Sequence, residues 1–354
     1  MNDSCSVNNS NAIFLTGGTG LVGGLLLRRL AEQNPNRVIF ALVRRPLGFP
    51  PLPNTCLITG DISQLRFGLA KDLYAQLCAS VGTIVHCAAS TKFTLPLEES
   101  RKANVQGTEN VLELAHRSKG LERLLHISTV YIAGRKSGPL AETEFIYPEG
   151  WFSPYEQSKF EAEKVFWKSG LPWVIARLST IVGNSRTGKI SQFNYFHQLL
   201  RCVPANRLPI IPGAPDACVD VIPDDWVVDG LDAILRTKVE FGKVFHLCAG
   251  PSQALTAQKL MELAFQLHHD RRLGSPSQMP QFVGQEEFEE FAKALRCRGE
   301  IALWRLSQLL LLYLPHLHTQ QFFLNEKTDQ FLQDAGVVRP PTQEYLSRII
   351  LACL

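Results

Sequence analysis

Ile13-Phe-Leu-Thr-Gly17-Gly-Thr-Gly20-Leu-Val-Gly23 reads as an apolar strand, a glycine-rich turn and the start of a helix. Each glycine has its own physical task. Gly17 permits the tight turn, Gly20 lets the backbone approach a pyrophosphate, and Gly23 lets the helix lie close to the strand. The first turn of a helix also presents free N–H groups and a positive dipole end to phosphate oxygens. Glycines collect in ordinary turns as well, so the pattern gains its meaning from context: a strand precedes it, a helix follows it, and a second strand arrives at the expected distance. Gly17, Thr19, Gly20, Leu21, Val22 and Gly23 are therefore candidate contacts to a dinucleotide.

Outward from this turn, short apolar runs alternate with amphipathic stretches. The runs Ile13–Thr16, Val38–Val43, Cys56–Thr59, Thr83–Cys87, Leu124–Ser128 and Trp173–Leu178 read as strands. Leu21–Gln33, Leu97–Ser118 and Pro154–Lys168 read as helices, the last opening on a proline where a missing N–H costs least. This alternation predicts βαβ units, and hence an α/β fold with a Rossmann-type, doubly wound parallel sheet. Beyond residue 183 the pattern loosens. Pro204, Pro209, Pro212 and Pro215 punctuate a loop region, Val219–Ile222 and Val244–Leu247 read as strands around a helix at Asp224–Leu235, and the chain from Thr256 is mainly helical, with a proline-flanked stretch at 275–280. The expected organisation is a cofactor domain over residues 1–183 and a smaller, mostly helical substrate lobe over 184–354, with segments of 219–247 returning to the sheet.

The second strand bears on which dinucleotide. A site for NAD usually ends this strand on a carboxylate that holds the ribose 2′-hydroxyl. Here Val43 runs into Arg44-Arg45, and a guanidinium clamps a 2′-phosphate through paired hydrogen bonds that a carboxylate would oppose. The cofactor expected is NADP(H). Two further loops complete the pocket: Asp61-Ile62 after the third strand, where the carboxylate suits an adenine amino group, and Cys87-Ala88-Ala89 after the fourth, where small residues let the backbone touch the cofactor.

Tyr155-Glu-Gln-Ser-Lys159 opens a helix, and the i, i+4 spacing sets phenol and ammonium on one face. A tyrosine titrates near pH 10. A nearby lysine cation is expected to lower that value, which fits Tyr155 as proton donor to a carbonyl oxygen during hydride transfer. A third group on the same oxygen, a hydroxyl, comes from the end of the fifth strand, where Ser128 and Thr129 are both candidates and Thr129 is favoured; Tyr131 reads as packing.

The segments 16–23, His86-Cys-Ala-Ala-Ser90, Asn104-Val-Gln-Gly-Thr108, Ile127-Ser-Thr-Val-Tyr131, Tyr155–Lys159 and Arg177-Leu-Ser-Thr-Ile-Val-Gly183 together resemble an extended short-chain dehydrogenase/reductase. More narrowly they resemble the "male sterility" branch that holds fatty acyl-CoA reductases and thioester reductase domains. The resemblance runs through most of residues 12–250. It implies that Lys159 also holds the nicotinamide ribose, that Asn104 supports the active-site helix, and that Leu178 and Ser179 meet the nicotinamide. It further implies reduction of an acyl thioester to aldehyde or alcohol. The residues fit equally a ketone or alcohol dehydrogenase acting on a sterol-like or phenolic substrate. A non-catalytic NADP(H) sensor is the alternative from another class, and it would not need Tyr155 and Lys159.

Composition is consistent with an ordinary globular chain: 354 residues, 45% hydrophobic, 19% charged, net charge +3. So small a charge gives no case for nucleic acid as a partner. The polar stretch Met1–Asn11 does not read as a secretory leader and no run is long enough to span a bilayer, so a cytoplasmic location is expected. Leu309–Leu314 is the longest apolar run considered, and it reads as a buried helix end or as a substrate- or membrane-facing lip. Nine widely spaced cysteines without a Cys-x-x-Cys pair point to free thiols and to no metal site. With no carrier attachment motif in the chain, a thioester substrate would arrive on coenzyme A or a separate carrier protein.

Overall fold

The computed structural model describes residues 11–46, 51–143, 149–202, 208–270, 278–313 and 315–354. Residues 1–10 with Cys5, together with Pro204, residues 275–277 and Leu314, lie outside them.

Seven strands form the central sheet: β1 (Ala12–Thr16), β2 (Ile39–Val43), β3 (Thr55–Thr59), β4 (Val81–His86), β5 (Arg123–Thr129), β6 (Trp173–Leu178) and β7 (Lys243–Leu247). Their spatial order is β3-β2-β1-β4-β5-β6-β7, and every pairing is parallel. Parallel strands are covered on both faces and so read as continuous apolar runs; all five residues of β1 are buried. Alternate side chains feed two cores. Ile13, Leu15, Val85 and Leu125 pack against α1 (Leu21–Gln33) and α7 (Asp224–Arg236). Phe14, Phe40, Ile84 and Leu124 pack on the other face against α2 (Lys71–Ser80), α4 (Gly107–Arg117) and Phe166 of α5 (Pro154–Trp167). The expected doubly wound Rossmann sheet is present, and strand order reverses between β1 and β4, where such sheets open a ligand crevice.

A third core joins α6 (Tyr195–Cys202), α8 (Ala257–Asp270), α9 (Gln285–Cys297), α10 (Ile301–Tyr313) and α12 (Thr342–Cys353) through Phe196, Leu199, Leu260, Phe288, Leu310 and Ile349. All of these helices but α6 lie late in the chain, where the sequence reads as mainly helical.

Three local expectations change. The helix read over Leu97–Ser118 is α3 (Leu97–Arg101), a π-turn at Lys102–Gln106, and α4. The strand read at Val219–Ile222 is two separate bridges, Cys218–Val219 against Leu255–Thr256 and Val221–Ile222 against Thr180–Ile181. Between them Asp220 turns inward and accepts from the amides of Ala249 (2.8 Å) and Gly250 (3.0 Å). Of residues 219–247, only Lys243–Leu247 returns to the central sheet. Cys78, Cys87, Cys218, Cys248, Cys297 and Cys353 are free thiols, whereas Cys56 is disulfide-bonded, so the expectation of free thiols does not hold there. Among the described residues no helix is long and apolar enough to cross a membrane.

Candidate active site

Local sequence sets the start of α5. Ser153 caps the helix, its hydroxyl accepting from the Glu156 amide (3.4 Å), while Glu156 reaches back to the Phe152 amide (2.9 Å). Pro154 takes the first helical position. A reciprocal box of this kind is worth about 1 kcal/mol and fixes where the helix begins. Tyr155 and Lys159 consequently lie on one face and line the same cleft, together with Ser128 and Thr129 from the end of β5.

The floor of this cleft is the glycine turn. Gly17, Gly20, Leu21, Val22, Gly23, Cys87, Ala89, Leu178 and Ser179 all line it, and it holds about 390 Å3. Gly17 has φ +77°, and a Cβ there would stand 2.7 Å from the Ala88 nitrogen. A Cβ on Gly23 would lie 2.2 Å from the Gly17 carbonyl oxygen. Backbone itself therefore walls the crevice at the switch point. Helix α1 starts without a side-chain cap and without an acidic residue in its first turn. Those are the conditions under which a helix N-terminus takes an anion from outside.

Not every sequence-predicted contact lines this cleft. Ala88 is spent inside the protein, its amide donating to the Thr16 hydroxyl (3.1 Å). Thr19 is exposed, as are Arg44 and Arg45, which follow β2 at the sheet's carboxyl edge. Asp61, after β3, accepts from the amide (2.9 Å) and hydroxyl (2.7 Å) of Ser63. These bonds hold its carboxyl below the usual range against a partial burial, and the nearby Arg44 charge adds to the effect. The Ile62 carbonyl accepts from Asn110 (2.7 Å). Arg44, Arg45, Asp61 and Ile62 thus form an open rim beyond β2 and β3, outside the enclosed part of the cleft.

The electrostatics of the pair differ from the expectation. Burial pushes the Tyr155 phenol up to about 12, opposed by the Thr129 hydroxyl as a hydrogen-bond partner and reinforced by the Glu156 carboxylate. Lys159 does not offset this, because its ammonium is turned to β5. It donates to the Ile127 carbonyl (2.8 Å) and lies 3.2 Å from His126 Nε2. Burial draws Lys159 itself down to about 8, against the raising effects of Glu163 and Cys87. Of the two hydroxyl candidates, Thr129 faces Tyr155, whereas the buried Ser128 Oγ has no hydrogen-bond partner among the described residues.

A buried polar web keeps these elements in register. Thr16 Oγ1 meets His86 Nδ1 (2.8 Å), His86 Nε2 meets Thr108 Oγ1 (3.1 Å), and Thr108 donates to the Asn104 carbonyl (2.6 Å). Asn104, in the π-turn, accepts from the Ser90 amide (2.7 Å) and donates to the Ser90 carbonyl (3.0 Å) and the Ser158 hydroxyl (2.9 Å). Burial holds His86 neutral, at about 3, with the Lys159 charge adding to the effect.

Several cleft residues escaped the sequence reading: Phe93, Thr180, Asn194 and His316. Tyr131, read as packing, lines the cleft too and bonds Thr180 Oγ1 (2.8 Å), which in turn meets Tyr195 Oη (3.0 Å). His316 arrives from the helical lobe, lying 3.2 Å from Glu156 Oε1 and 3.1 Å from Gln321 Oε1. Tyr131, Thr180, Tyr195 and His316 also wall a second, smaller cavity of about 50 Å3. Its lining is mostly apolar, with Phe196, Leu199, Leu260, Met261, Phe282 and Phe323 among its residues. Of the aromatic and leucine residues from Phe193 to Leu200, only Tyr195, Phe196 and Leu199 reach it; Leu200 is core and Phe193 is exposed. Leu309 is exposed and Leu310 is core, and Leu309–Leu312 line neither cavity.

Comparison with known proteins places this arrangement. A candidate fatty acyl-CoA reductase of Drosophila melanogaster is 26% identical over 300 residues, covering 67% of this chain and 55% of its own length. The chain thus spans about half of that relative. The terminal R domain of the myxalamid PKS-NRPS biosynthetic pathway superposes with a TM-score of 0.79 at 24% identity, covering 98% of this chain and 91% of the other. A UDP-glucuronic acid 4-epimerase from Bacillus cereus in complex with NAD shares the fold at a TM-score of 0.64 and 17% identity, covering 96% and 99%. Residues 52–231, half of the sequence, match the model of the male sterility protein family, and the chain belongs to that family.

Proposed function

We propose that this chain is an NADPH-dependent reductase of an acyl thioester, releasing an aldehyde or, after a second reduction, an alcohol. The observation that carries the reading is that two neighbouring cavities share a wall. A glycine-floored cleft ends at Tyr155, Thr129 and Lys159, and it shares Tyr131, Thr180, Tyr195 and His316 with an apolar chamber. Such a chamber suits a hydrocarbon chain better than a nucleotide sugar. The resemblance to fatty acyl-CoA reductases and to reductase domains of peptide synthetases supports the same substrate class.

The residues fit a nicotinamide dinucleotide. The uncapped start of α1 suits its pyrophosphate, and Gly17, Gly20 and Gly23 leave room for it. Arg44 and Arg45 stand at the end of β2, where a 2′-phosphate would be held, and no carboxylate follows that strand directly. When bound, the cofactor supplies hydride to the substrate carbonyl carbon. Tyr155 then gives its proton to the carbonyl oxygen, with Thr129 hydrogen-bonded to the same oxygen and Lys159 bordering the cleft where it would hold the cofactor ribose. Carbon–sulfur cleavage follows as Tyr155 takes the hydroxyl proton back and the sulfur leaves as a thiolate, which takes a proton from solvent; the aldehyde remains. The reading is tested by NADPH oxidation with the purified protein against acyl-CoAs, aldehydes, ketones and a nucleotide sugar. Turnover confined to ketones would replace it with an alcohol dehydrogenase.

A further inference from the structure

His126 is fully buried on β5, two residues before Ser128. Its ring stacks on Phe166 at 4.3 Å and leans on His86 at 5.2 Å. It lies outside the cleft lining, so it touches neither cofactor nor substrate. Its two nitrogens differ sharply. Nε2 lies 3.2 Å from Lys159 Nζ, whereas Nδ1 is buried with no hydrogen-bond partner among the described residues. A buried polar atom left unpaired is destabilising. Apolar side chains of similar size would fill the same space without that cost, so packing does not account for an imidazole here.

Counting donors on the lysine shows what the ring does. An ammonium carries three N–H groups. One goes to the Ile127 carbonyl at 2.8 Å and a second to His126 Nε2, both on β5, while Lys159 still borders the cleft. Two fixed acceptors set the direction of the third N–H. We propose that His126 is a positioning residue: its Nε2 accepts from the Lys159 ammonium and aims the remaining N–H into the cleft, toward the cofactor ribose and the Tyr155 phenol. The inference rests on the reductase reading given above. The ring is neutral with its proton on Nδ1, since burial, and after it the Lys159 charge, hold it well below the ordinary histidine range.

The charged and titratable groups around Lys159 are His126 on β5, His86 on β4, Cys87 just beyond it, and Tyr155 and Glu163 on α5. Glu163 and Cys87 favour the cation and burial opposes it. An acceptor on the ammonium favours the charged form, so deleting it makes Lys159 lose its proton at lower pH.

The test compares His126→Phe and His126→Gln with the wild-type protein. Phenylalanine keeps the stack on Phe166 and removes both nitrogens, and glutamine restores an acceptor. NADPH affinity and turnover are followed from pH 6 to pH 9, with thermal melting alongside. In His126→Phe the pH above which binding and turnover fall moves down by about one unit, and kcat drops about tenfold, while melting temperature is not lowered. His126→Gln brings the midpoint back toward that of the wild type. An unmoved midpoint in the phenylalanine variant overturns the proposal, as does a glutamine variant no better than phenylalanine. Should His126→Phe not fold, His126→Leu gives the same readout. Wild-type protein that binds NADPH but reduces no carbonyl compound refutes the reductase reading, and the affinity profile then decides the role of His126. Wild-type protein that binds no NADPH refutes both.

Discussion

The Asn104 side-chain amide donates to the Ser158 hydroxyl at 2.9 Å, joining the π-turn between α3 and α4 to the turn of α5 that separates Tyr155 from Lys159. The same side chain brackets Ser90, beside the loop after β4. One residue thus holds the loop after β4 and helix α5 at a fixed spacing, and the π-turn is the local distortion that lets it point inward. Asn104→Asp keeps the acceptor for the Ser90 amide but loses both donations. The expected cost is about 1–3 kcal/mol of stability, seen by denaturant unfolding. Turnover should fall more than that loss of folded protein explains, because Tyr155 is no longer held in place. Unchanged turnover in the folded fraction would make Asn104 purely structural.

Tyr155→Phe keeps the ring against Phe93 and removes the proton donor. Cofactor affinity should stay within about twofold, while kcat falls by roughly 10²–10⁴. Since burial sets this phenol at about 12, above its ordinary value, the donor stays protonated across the neutral range. Activity on the basic side should follow the lysine near 8, falling as pH rises and Lys159 loses its charge. A pH profile flat from 7 to 9.5 would contradict that assignment.

These two groups were legible in sequence because they are local. The strand–glycine–helix unit and the Tyr155–Lys159 spacing each lie within a dozen residues, where periodicity and turn chemistry act directly. What sequence could not supply is long-range. His316 meets Glu156 across 160 positions, and Tyr131 meets Thr180 across 49, with no short motif marking either pair. The direction of Lys159 was also hidden. Spacing along a helix puts two side chains on one face, but β5 decides where the longer one ends. The split at Asp220 had the same origin, since its carboxylate is fixed by amides about thirty residues away.

Under the proposed NADPH-dependent reading, Arg44 and Arg45 would carry the cofactor preference. Both are exposed beyond β2, free of the enclosed cleft, and therefore open to a 2′-phosphate approaching along the rim. Replacing both with serine should weaken NADPH binding about tenfold or more and leave NADH nearly unchanged. Isothermal titration with each cofactor measures this. Equal losses for the two would remove the 2′-phosphate argument.

The central claim is that a hydrocarbon-bearing thioester is reduced where the cleft meets the apolar chamber. Its most direct test is kcat/KM with NADPH across acyl-CoAs of increasing chain length, with the carbonyl or alcohol product identified. The account predicts aldehyde or alcohol formation with release of free coenzyme A. It also predicts efficiency rising by up to about 0.8 kcal/mol per added methylene until the chamber is full, then levelling or falling. A series that stays flat or declines from the shortest chain, together with turnover of a nucleotide sugar, would contradict it.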